Sequence, residues 1–263
     1  MKKQISVSTS FNYGLPIENQ VQMISNAGFS HLTLGSNLDH FNYFDSDDRL
    51  KLLRILNNNN LFIDTIHGKS LHQDNNLELL EKTILAAKEF EVKYIVVHIS
   101  PFMFDKKDYE SLFENLKLLK NDLIKLLEKN KIKLALENVF PYHELDLLTE
   151  YLKYLNHELI GICYDSSHDQ IDGPRDFTFL EKNKTKVMKA HISDRIKEFV
   201  DHVIPGEGFI NFDKIIEYLK QSAFEFPLLL EVMMTHSRYN SSPELFLSEV
   251  YKKGSEIYEK IVL

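Results

Sequence analysis

Acidic residues and histidines close one short apolar run after another along this chain. His98 follows Ile-Val-Val, Glu137 follows Ala-Leu and Glu231 follows Leu-Leu-Leu. The same pattern recurs at three further positions: His67, Asp165 and His191. A buried strand that ends in a metal-binding or acid/base residue is unusual, because such groups are costly to bury without a partner. Repeated around a closed sheet, the pattern would bring these side chains to one mouth, and it therefore predicts a metal-dependent active site.

Four of these residues end consecutive predicted strands, the fifth to the eighth. They are Glu137, Asp165, His191 and Glu231. Three carboxylates and one imidazole form a ligand set that suits Mn²⁺, Mg²⁺, Fe²⁺ or Zn²⁺ rather than a metal that prefers thiolates. The set carries enough negative charge to hold a divalent ion, and it leaves coordination positions open for substrate oxygens.

Four other histidines lie near the same predicted mouth. His67 and His98 end the third and fourth strands, and His168 lies on the loop after the sixth strand. His202 precedes Gly206 and Gly208, and we expect these glycines to allow close approach of the backbone to a ligand. A single histidine at a strand end is more often a structural residue than a ligand, so the prediction depends on the conjunction of all these residues.

Strand-like apolar runs alternate with amphipathic, helix-length stretches from one end of the chain to the other. Eight runs have this character: 4–9, 31–35, 61–66, 93–98, 132–137, 159–164, 186–191 and 227–232. The clearest helical stretches are 75–90, 108–130, 143–156, 211–222 and 243–262. This alternation predicts a parallel sheet, and eight repeats in about 250 residues fit a closed (β/α)8 barrel, the TIM barrel, whose chemistry lies at the C-terminal ends of the strands.

An open, doubly wound sheet is the alternative architecture. It would usually have a Gly-rich first turn for a nucleotide, and the turn at residues 8–14 is of another kind. No linker interrupts the chain, so we expect one α/β domain over residues 1–263. Within the barrel, Glu137 shares its strand parity with Ala135, whereas Leu134 and Leu136 should face the helices.

The composition restricts the function classes. The chain has 263 residues and a formal net charge of −8, and an acidic surface disfavours non-specific binding of nucleic acids. Cys163 is the only cysteine, so we interpret it as a core residue and expect a reducing compartment. The N-terminus lacks the apolar segment of a signal peptide, and no run approaches the ~18 apolar residues of a membrane span. We therefore expect a cytoplasmic protein without membrane contact.

The chain resembles the xylose isomerase-like barrels, specifically the sugar phosphate isomerase/epimerase group that also includes the endonuclease-four type of DNA-repair enzyme. The resemblance covers essentially the whole chain and is carried by short motifs in order: His67, His98, Ala-Leu-Glu137-Asn, Asp165-Ser-Ser-His168, Ala-His191-Ile-Ser-Asp194, Pro-Gly206-Glu-Gly208 and Leu-Leu-Glu231-Val. Together these motifs are specific for the superfamily but not for a substrate.

The resemblance implies that Glu137, Asp165, His191 and Glu231 bind one divalent metal ion. In the epimerases, the glutamates that match Glu137 and Glu231 also transfer protons at a carbon next to a carbonyl, which would make both residues catalytic. The third catalytic residue would be His168, through a hydrogen bond to the substrate near the reacting carbon.

The DNA-repair branch uses a larger metal cluster, and the resemblance extends to its additional ligands. These match His67, His98, His168 and His202. That branch also has an aspartate two residues before the last of these histidines, where this chain has valine, and the adjacent Asp201 is out of phase. The resemblance therefore implies room for more than one ion per chain, with a third site weakened or absent.

The leading prediction is a divalent-metal-dependent isomerase or epimerase of a small sugar, sugar phosphate or related polyol, which works by proton transfer between two glutamates. The alternative is a zinc phosphodiesterase of the endonuclease-four type that acts on abasic DNA, although the acidic charge makes nucleic acid an unexpected partner. Two other hypotheses are left open: a dehydratase or lyase reaction, and a barrel that binds its ligand without catalysis. The family commonly forms homodimers or homotetramers.

Three loops at the predicted mouth, 10–15, 36–46 and 68–76, are expected to set specificity. Aromatic side chains there could form an apolar wall or simply pack: Phe11, Tyr13, Phe41, Tyr43 and Phe44. A phosphate-binding cluster is not obvious, although four basic residues lie on mouth-side loops: Lys69, Lys106, Lys107 and Arg195. Lys189 shares the inward parity of His191, so it needs a carboxylate partner, either in the site or in an internal ion pair.

Overall fold

Eight parallel strands close into a barrel in the computed structural model, which describes residues 3–140, 142–171 and 173–263. Each strand pairs with its sequence neighbours, and the first strand pairs with the last. The strands are β1 (Ile5–Ser8), β2 (His31–Leu34), β3 (Phe62–His67), β4 (Tyr94–His98), β5 (Lys133–Glu137), β6 (Ile160–Asp165), β7 (Val187–Ile192) and β8 (Leu228–Leu230). The predicted (β/α)8 barrel is confirmed.

Helices surround this barrel, all in its outer layer except the short buried helix that follows β6 at the mouth. They are α1 (Ile17–Asn26), α2 (Ser46–Asn59), α3 (Asn76–Glu89), α4 (Tyr109–Leu118), α5 (Lys120–Asn130), α6 (Tyr142–Leu155), α7 (Ser166–Asp169), α8 (Thr178–Asn183), α9 (Phe212–Leu219) and α10 (Pro243–Val262). Short 3₁₀ turns cover Thr9–Asn12, Lys106–Asp108, Lys184–Lys186 and Met234–His236. Among the described helices, we find none with both the length and the apolar character that a membrane crossing requires.

The stretch 108–130, which the sequence predicts as one helix, forms two helices. The chain turns at Leu119, between α4 and α5. Helix α4 packs against α6, whereas α5 packs against α3, so the turn lets one segment cover two neighbours in the outer layer. The leucine spacing continues through the turn, and for that reason the sequence pattern did not reveal it.

Alternation of side chains along the strands separates an outer core from the barrel axis. Leu134 and Leu136 pack in the layer between strands and helices, while Ala135 faces the axis beside Val96 and Cys163. Burial raises the pKa of the Cys163 thiol to about 12, in agreement with its interpretation as a core residue. The predicted parity of β5 is therefore confirmed, and it directs the last side chain of the strand inward.

Lys189 takes part in an ion pair inside the barrel, one layer below the mouth. Its Nζ lies 2.8 Å from Oδ1 of Asp64 and also donates to the carbonyl oxygens of Glu225 and Pro227, at 3.1 and 3.2 Å. Both charged side chains are buried. Pro227 immediately precedes β8, so the ammonium group points toward the N-terminal ends of the strands. Of the two locations that the sequence left open, the internal ion pair is the one observed.

Candidate metal centre

Glu137, the last residue of β5, lies at the centre of a ring of four imidazoles at the barrel mouth. Its Oε2 lies 2.9 Å from Nε2 of His67 and 3.3 Å from Nε2 of His98. Its Oε1 lies 3.3 Å from Nδ1 of His191 and 3.4 Å from Nδ1 of His168. The strand register produces this arrangement, because His98 pairs directly with Glu137 across β4 and β5. The carboxylate of this β5 residue therefore joins residues from three other strands, β3, β4 and β7, and from α7.

The eight predicted ligands fall into three groups, and within each group the ligand atoms lie within 4.8 Å of one another. The central group is Glu137, Asp165, His191 and Glu231. The rim group is His67, His98 and Glu137, and the hairpin group is Asp165, His168 and His202. Ions in neighbouring groups would share a carboxylate, from Glu137 or from Asp165. The fold thus brings all the predicted site residues together, and their roles as ligands or catalysts stay predictions.

Several buried polar atoms of this centre have no hydrogen-bond partner within the described part of the chain. They are Oδ2 of Asp165, Nε2 of His168 and Nε2 of His191, whereas Nε2 of His98 and Nδ1 of His191 lie beside the carboxylates of Glu137 and Glu231. A buried donor or acceptor without a partner costs about 1–3 kcal/mol, so a concentration of them in one place points to a ligand. Imidazole nitrogens and carboxylate oxygens are donors that divalent ions such as zinc accept, and the residues present fit a metal ion.

The first turn of α7 orients Asp165. Its Oδ1 accepts hydrogen bonds from the backbone N–H of His168 at 2.7 Å and from the hydroxyl of Ser167 at 3.1 Å. This is an N-cap, in which the side chain satisfies an amide at the start of a helix. Because Oδ1 is occupied in this way, Oδ2 is the oxygen left for a metal ion.

Asn138 connects β5 to β6 and fixes His168. Its side chain exchanges two hydrogen bonds with the backbone of Asp165, at 2.8 and 3.0 Å. Its carbonyl oxygen accepts a hydrogen bond from Nδ1 of His168 at 3.0 Å, so Nε2 is the free nitrogen of that ring. The two roles predicted for His168, metal ligand and donor to the substrate, therefore compete for one atom. The sequence analysis missed this function of Asn138, although its place directly after a strand-ending glutamate was a signal.

Within this centre the carboxylates and the imidazoles shift one another's pKa values. Burial acts to raise the pKa of Glu137, but the imidazoles of His191 and His98 hold it well below its ordinary range. Burial also acts to raise the pKa of Glu231, but the imidazole of His191 outweighs it and lowers that pKa to about 2. In return, the carboxylates of Asp165 and Glu137 overcome burial and raise the pKa of His168 to about 9. A metal ion has to displace the imidazole protons, because histidine binds metals as the neutral imidazole.

Two phenylalanines that the sequence analysis missed cover one side of the mouth. The ring centroid of Phe102 lies 5.1 Å from that of His98 and 5.5 Å from that of His168, and Phe140 lies 5.7 Å from His168. Phe102 is 48% exposed, so it offers an apolar surface beside the candidate ligands. Each of the two follows a strand-ending site residue by three or four positions. Three members of the apolar wall considered above are instead buried in the core: Phe11, Phe41 and Tyr43.

The glycines after His202 donate backbone hydrogen bonds to the carboxylate of Asp194. Asp194 accepts hydrogen bonds from four backbone N–H groups, those of Arg195, Gly206, Gly208 and Ile210. A Cβ atom on Gly208 would lie 2.1 Å from the carbonyl oxygen of Arg195, and Gly206 has a φ of +94°, which suits glycine. The close approach expected from these glycines is therefore to Asp194 and Arg195.

Two of the basic residues noted on the mouth-side loops are engaged within the protein. Arg195 is buried, and its Nη2 lies 2.8 Å from Oδ2 of Asp201. Lys69 donates to the carbonyl oxygen of Ser36 at 2.8 Å. These contacts do not support a phosphate-binding role for either side chain.

The family model described as "Xylose isomerase-like TIM barrel" matches residues 21–251 of the chain. Among curated relatives, Uncharacterized protein y4fM of Sinorhizobium fredii is 24% identical over 191 residues, which are 70% of this chain and 61% of that protein. Uncharacterized protein MJ1311 of Methanocaldococcus jannaschii is 26% identical over 164 residues, 59% of this chain and 56% of that protein. The chain therefore spans about three fifths of the length of these relatives.

Solved structures share the architecture over nearly the whole chain. A D-tagatose 3-epimerase-like protein superposes with a TM-score of 0.78 at 19% identity and covers 99% of this chain and 100% of its own. The IOLI protein, in a crystal structure with a zinc atom, has a TM-score of 0.77 at 17% identity, with 98% and 99% covered. A xylose isomerase domain protein from Alicyclobacillus acidocaldarius has a TM-score of 0.75 at 13% identity, with 99% and 100% covered. At these identities the likeness establishes the common fold.

Proposed function

Because the chain belongs to the xylose isomerase-like TIM-barrel family, we propose that it is a divalent-metal-dependent isomerase or epimerase of a small sugar, sugar phosphate or related polyol. The observation that carries this proposal is the central group, in which Glu137 and Glu231 each offer a carboxylate oxygen beside Asp165 and His191. Neighbours of the same fold support it by their names, since they include a D-tagatose 3-epimerase-like protein, a 3-keto-D-glucoside 4-epimerase and a D-psicose 3-epimerase.

The two glutamates would carry the proton transfer. A bound divalent ion supplies polarisation of the substrate's oxygens and stabilises the negative charge that develops on them. One glutamate removes the proton from the carbon next to the carbonyl, and the other returns a proton to the opposite face, which inverts that carbon. The Glu231 side chain is 14% exposed and that of Glu137 is 1% exposed, so we assign the first contact with an entering substrate to Glu231.

The surrounding side chains would position the substrate and exclude water. His168 presents Nε2 to the centre, since Asn138 holds its other nitrogen, and in its protonated form it donates a hydrogen bond to a substrate oxygen. Phe102 and Phe140 form an apolar side of the mouth. An apolar surface next to a set of charged groups suits a sugar, which has apolar C–H faces and polar hydroxyl edges.

Solvent deuterium exchange tests this proposal directly. Protein freed of metal and reloaded with Mn²⁺ is incubated in D₂O with D-tagatose, D-psicose or D-fructose, and deuterium at the carbon next to the carbonyl is measured by NMR. We expect exchange that depends on the ion and is lost in Glu137→Gln and in Glu231→Gln. Glu259→Gln is the matched control, because Glu259 is exposed on α10 and pairs with Lys3. Full exchange in either active-site variant would overturn the proton-transfer roles.

A zinc phosphodiesterase is the second candidate, and the rim and hairpin groups favour it. Together with the central group they offer places for more than one ion around shared carboxylates, and neighbouring ions of this kind can stabilise both the attacking and the leaving oxygen of a phosphate ester. This candidate requires cleavage of an abasic-site DNA duplex by zinc-loaded protein and more than one zinc per chain. If neither is observed, the phosphodiesterase is excluded and the isomerase proposal stands alone.

A further inference from the structure

A cavity of about 390 Å³ lies between the loops that follow β1 and β8, on the mouth side of the barrel, and is called the β1–β8 cavity below. Hydroxyl, amide and apolar side chains line it, among them Ser10, Asn12, Tyr13, Met233, Thr235 and Asn240. The described residues that line this cavity carry no formal charge. Uncharged polar groups beside an apolar surface suit a ligand that has hydroxyl groups and no ionic group.

The β1–β8 cavity adjoins the central group at Glu231. Met233 follows this glutamate by two positions, and its backbone N–H donates to the carbonyl oxygen of His202 at 2.7 Å. On the loop after β1, burial and the charge of Glu231 raise the pKa of Tyr13 to about 12. The Tyr13 hydroxyl therefore stays protonated at neutral pH, and it can donate a hydrogen bond to a ligand that extends from Glu231 into the cavity.

The loop that carries Tyr13 is held from below by buried and half-buried side chains. Gln20 is fully buried, and its Nε2 donates to two carbonyl oxygens of this loop, at 2.7 and 3.1 Å. The ring of His40 makes an edge contact with Tyr13, with 5.1 Å between the centroids. A Cβ atom on Gly35 would lie 2.7 Å from the Tyr13 hydroxyl oxygen, so glycine leaves the space that this hydroxyl occupies. Packing thus fixes the tyrosine, as a residue that selects a substrate requires.

The places where a barrel enzyme usually binds phosphate are occupied by carboxylates in this chain. Phosphate is bound by Arg and Lys or by backbone N–H groups at glycine loops and helix N-termini, and in (β/α)8 enzymes often in the loops after the seventh and eighth strands. Asp194, which pairs with Val203 in a hairpin after β7, accepts the backbone N–H groups of the glycine loop. Helices α9 and α10 carry Asp213 and Glu244 in their first turns. A phosphate group in these places would meet negative charge.

Basic side chains near these loops have partners or face another surface. Ion pairs of 2.8–3.2 Å engage three of them: Arg238 with Glu207, Lys253 with Glu256 and Lys107 with Asp105. Lys106 lines a separate groove along α6. Together with the contacts of Arg195 and Lys69 described above, these positions do not supply cations to the β1–β8 cavity.

We infer that the substrate is an uncharged sugar or polyol and not a phosphate ester, and that its end remote from the reacting carbon lies in the β1–β8 cavity. Tyr13, Thr235 and Asn240 present donors and acceptors to the hydroxyl groups of this end, and Met233 offers an apolar contact to its C–H faces. Tyr13 is therefore a specificity-determining residue. The inference rests on the proposed function and deepens it, because it separates free sugars from sugar phosphates as the class that the site accepts.

Matched pairs of free and phosphorylated sugars test the inference. D-tagatose, D-psicose, D-fructose and the 6-phosphate of each are given to the full chain. Deuterium exchange on the Mn²⁺-loaded protein yields kcat and KM, and saturation-transfer NMR on the Mg²⁺-loaded protein reports binding. We expect every free sugar that exchanges to have a kcat/KM at least about tenfold above that of its phosphate, because like charges close together are disfavoured.

Variants of the β1–β8 cavity locate the bound end of the sugar. In Tyr13→Phe we expect KM for the free sugar to rise about three- to tenfold with kcat within about twofold, because one hydrogen bond to the bound sugar is lost. Tyr154→Phe is the matched control, since Tyr154 has the same exposure of 39% and lies on α6. Thr235→Lys adds a cation and should lower KM for the phosphates at least about tenfold, whereas Ser248→Lys adds the same charge on the exposed side of α10 and should not.

Each outcome decides between the inference and its opposite. A parent protein that prefers the 6-phosphates overturns the inference, and so does one that shows saturation transfer to neither member of any pair. An unchanged KM in Tyr13→Phe, or phosphates that gain nothing in Thr235→Lys, overturns the placement of the sugar in this cavity. Saturation transfer to the free sugars that weakens in Tyr13→Phe, without any deuterium exchange, would refute the proposed function and leave the β1–β8 cavity as a binding site for uncharged sugars.

Discussion

Replacement of Lys189 by methionine removes the ammonium group that neutralises Asp64 inside the barrel. Methionine has a similar length, so the space stays filled, but three hydrogen bonds from Nζ are lost. Asp64 then keeps a buried charge without its cation, and breaking a buried pair from one side costs about 3–5 kcal/mol. We therefore expect the free energy of unfolding of Lys189→Met to fall by about that amount. Because Lys189 points away from the mouth, the metal stoichiometry of the folded variant should equal that of the parent.

Urea unfolding followed by circular dichroism measures this loss, with metal content determined on the same samples. The double variant Asp64→Leu, Lys189→Met is the control. It removes both charges, and since hydrophobic replacement of a whole buried pair is often neutral, it should recover most of the lost stability. A loss below about 1 kcal/mol in Lys189→Met, within the usual range of a single exposed pair, would refute this reasoning. Loss of bound metal at unchanged stability would instead assign Lys189 to the site.

Three further predictions concern the centre itself. Asn138→Ala removes two hydrogen bonds to the backbone of Asp165, and metal affinity measured by calorimetry should fall about ten- to hundredfold. Gly208→Ala places a methyl group 2.1 Å from the Arg195 carbonyl oxygen, and overpacking of this kind should lower the free energy of unfolding in urea by about 1–3 kcal/mol. Neighbouring groups raise the pKa of His191 well above its ordinary value and that of His168 to about 9, so metal binding at pH 7 should release protons from the centre, as calorimetry in buffers of different ionisation enthalpy will measure. Because the pKa of His168 is raised from 6.5 to about 9, the contribution of His168 to the stability of the protein freed of metal is complete below pH 6.5 and is lost as the pH rises through about 9.

Clear results would contradict each of these three predictions. An Asn138→Ala protein with the affinity of the parent would mean that the Asp165 backbone needs no support from the Asn138 side chain. A Gly208→Ala protein as stable as the parent would mean that the hairpin can move away from the added methyl group. Equal apparent binding enthalpies in all buffers at pH 7 would mean that no net proton leaves the centre when the ion binds.

Local patterns in the sequence determined the barrel and the residues at its mouth. Eight apolar runs that alternate with amphipathic stretches are compatible with few folds other than a closed parallel barrel. The inward direction of the Glu137 side chain followed from the two-residue period of side chains along a strand. The C-terminal ends of parallel strands share one mouth, so the positions of His98 and Asp165 at strand ends were enough to place them together. The turn at Leu119 was missed, because it depends on which helices α4 and α5 cover and not on their own leucine spacing.

Contacts between distant segments decided the rest, and one sequence does not specify them. Lys189 had two equivalent interpretations until Asp64, which is 125 positions away, was found beside it. The contact between Asp201 and His202 did not follow from the sequence alone, since adjacent residues in a strand face opposite ways. Only the left-handed backbone of His202 and the buried guanidinium of Arg195 bring the carboxylate of Asp201 to the imidazole. The residue types determine which chemistry the barrel mouth can perform. The tertiary structure decides which atoms are free to perform it, because each hydrogen bond to a distant partner occupies one nitrogen or oxygen that could otherwise bind a metal ion or a substrate.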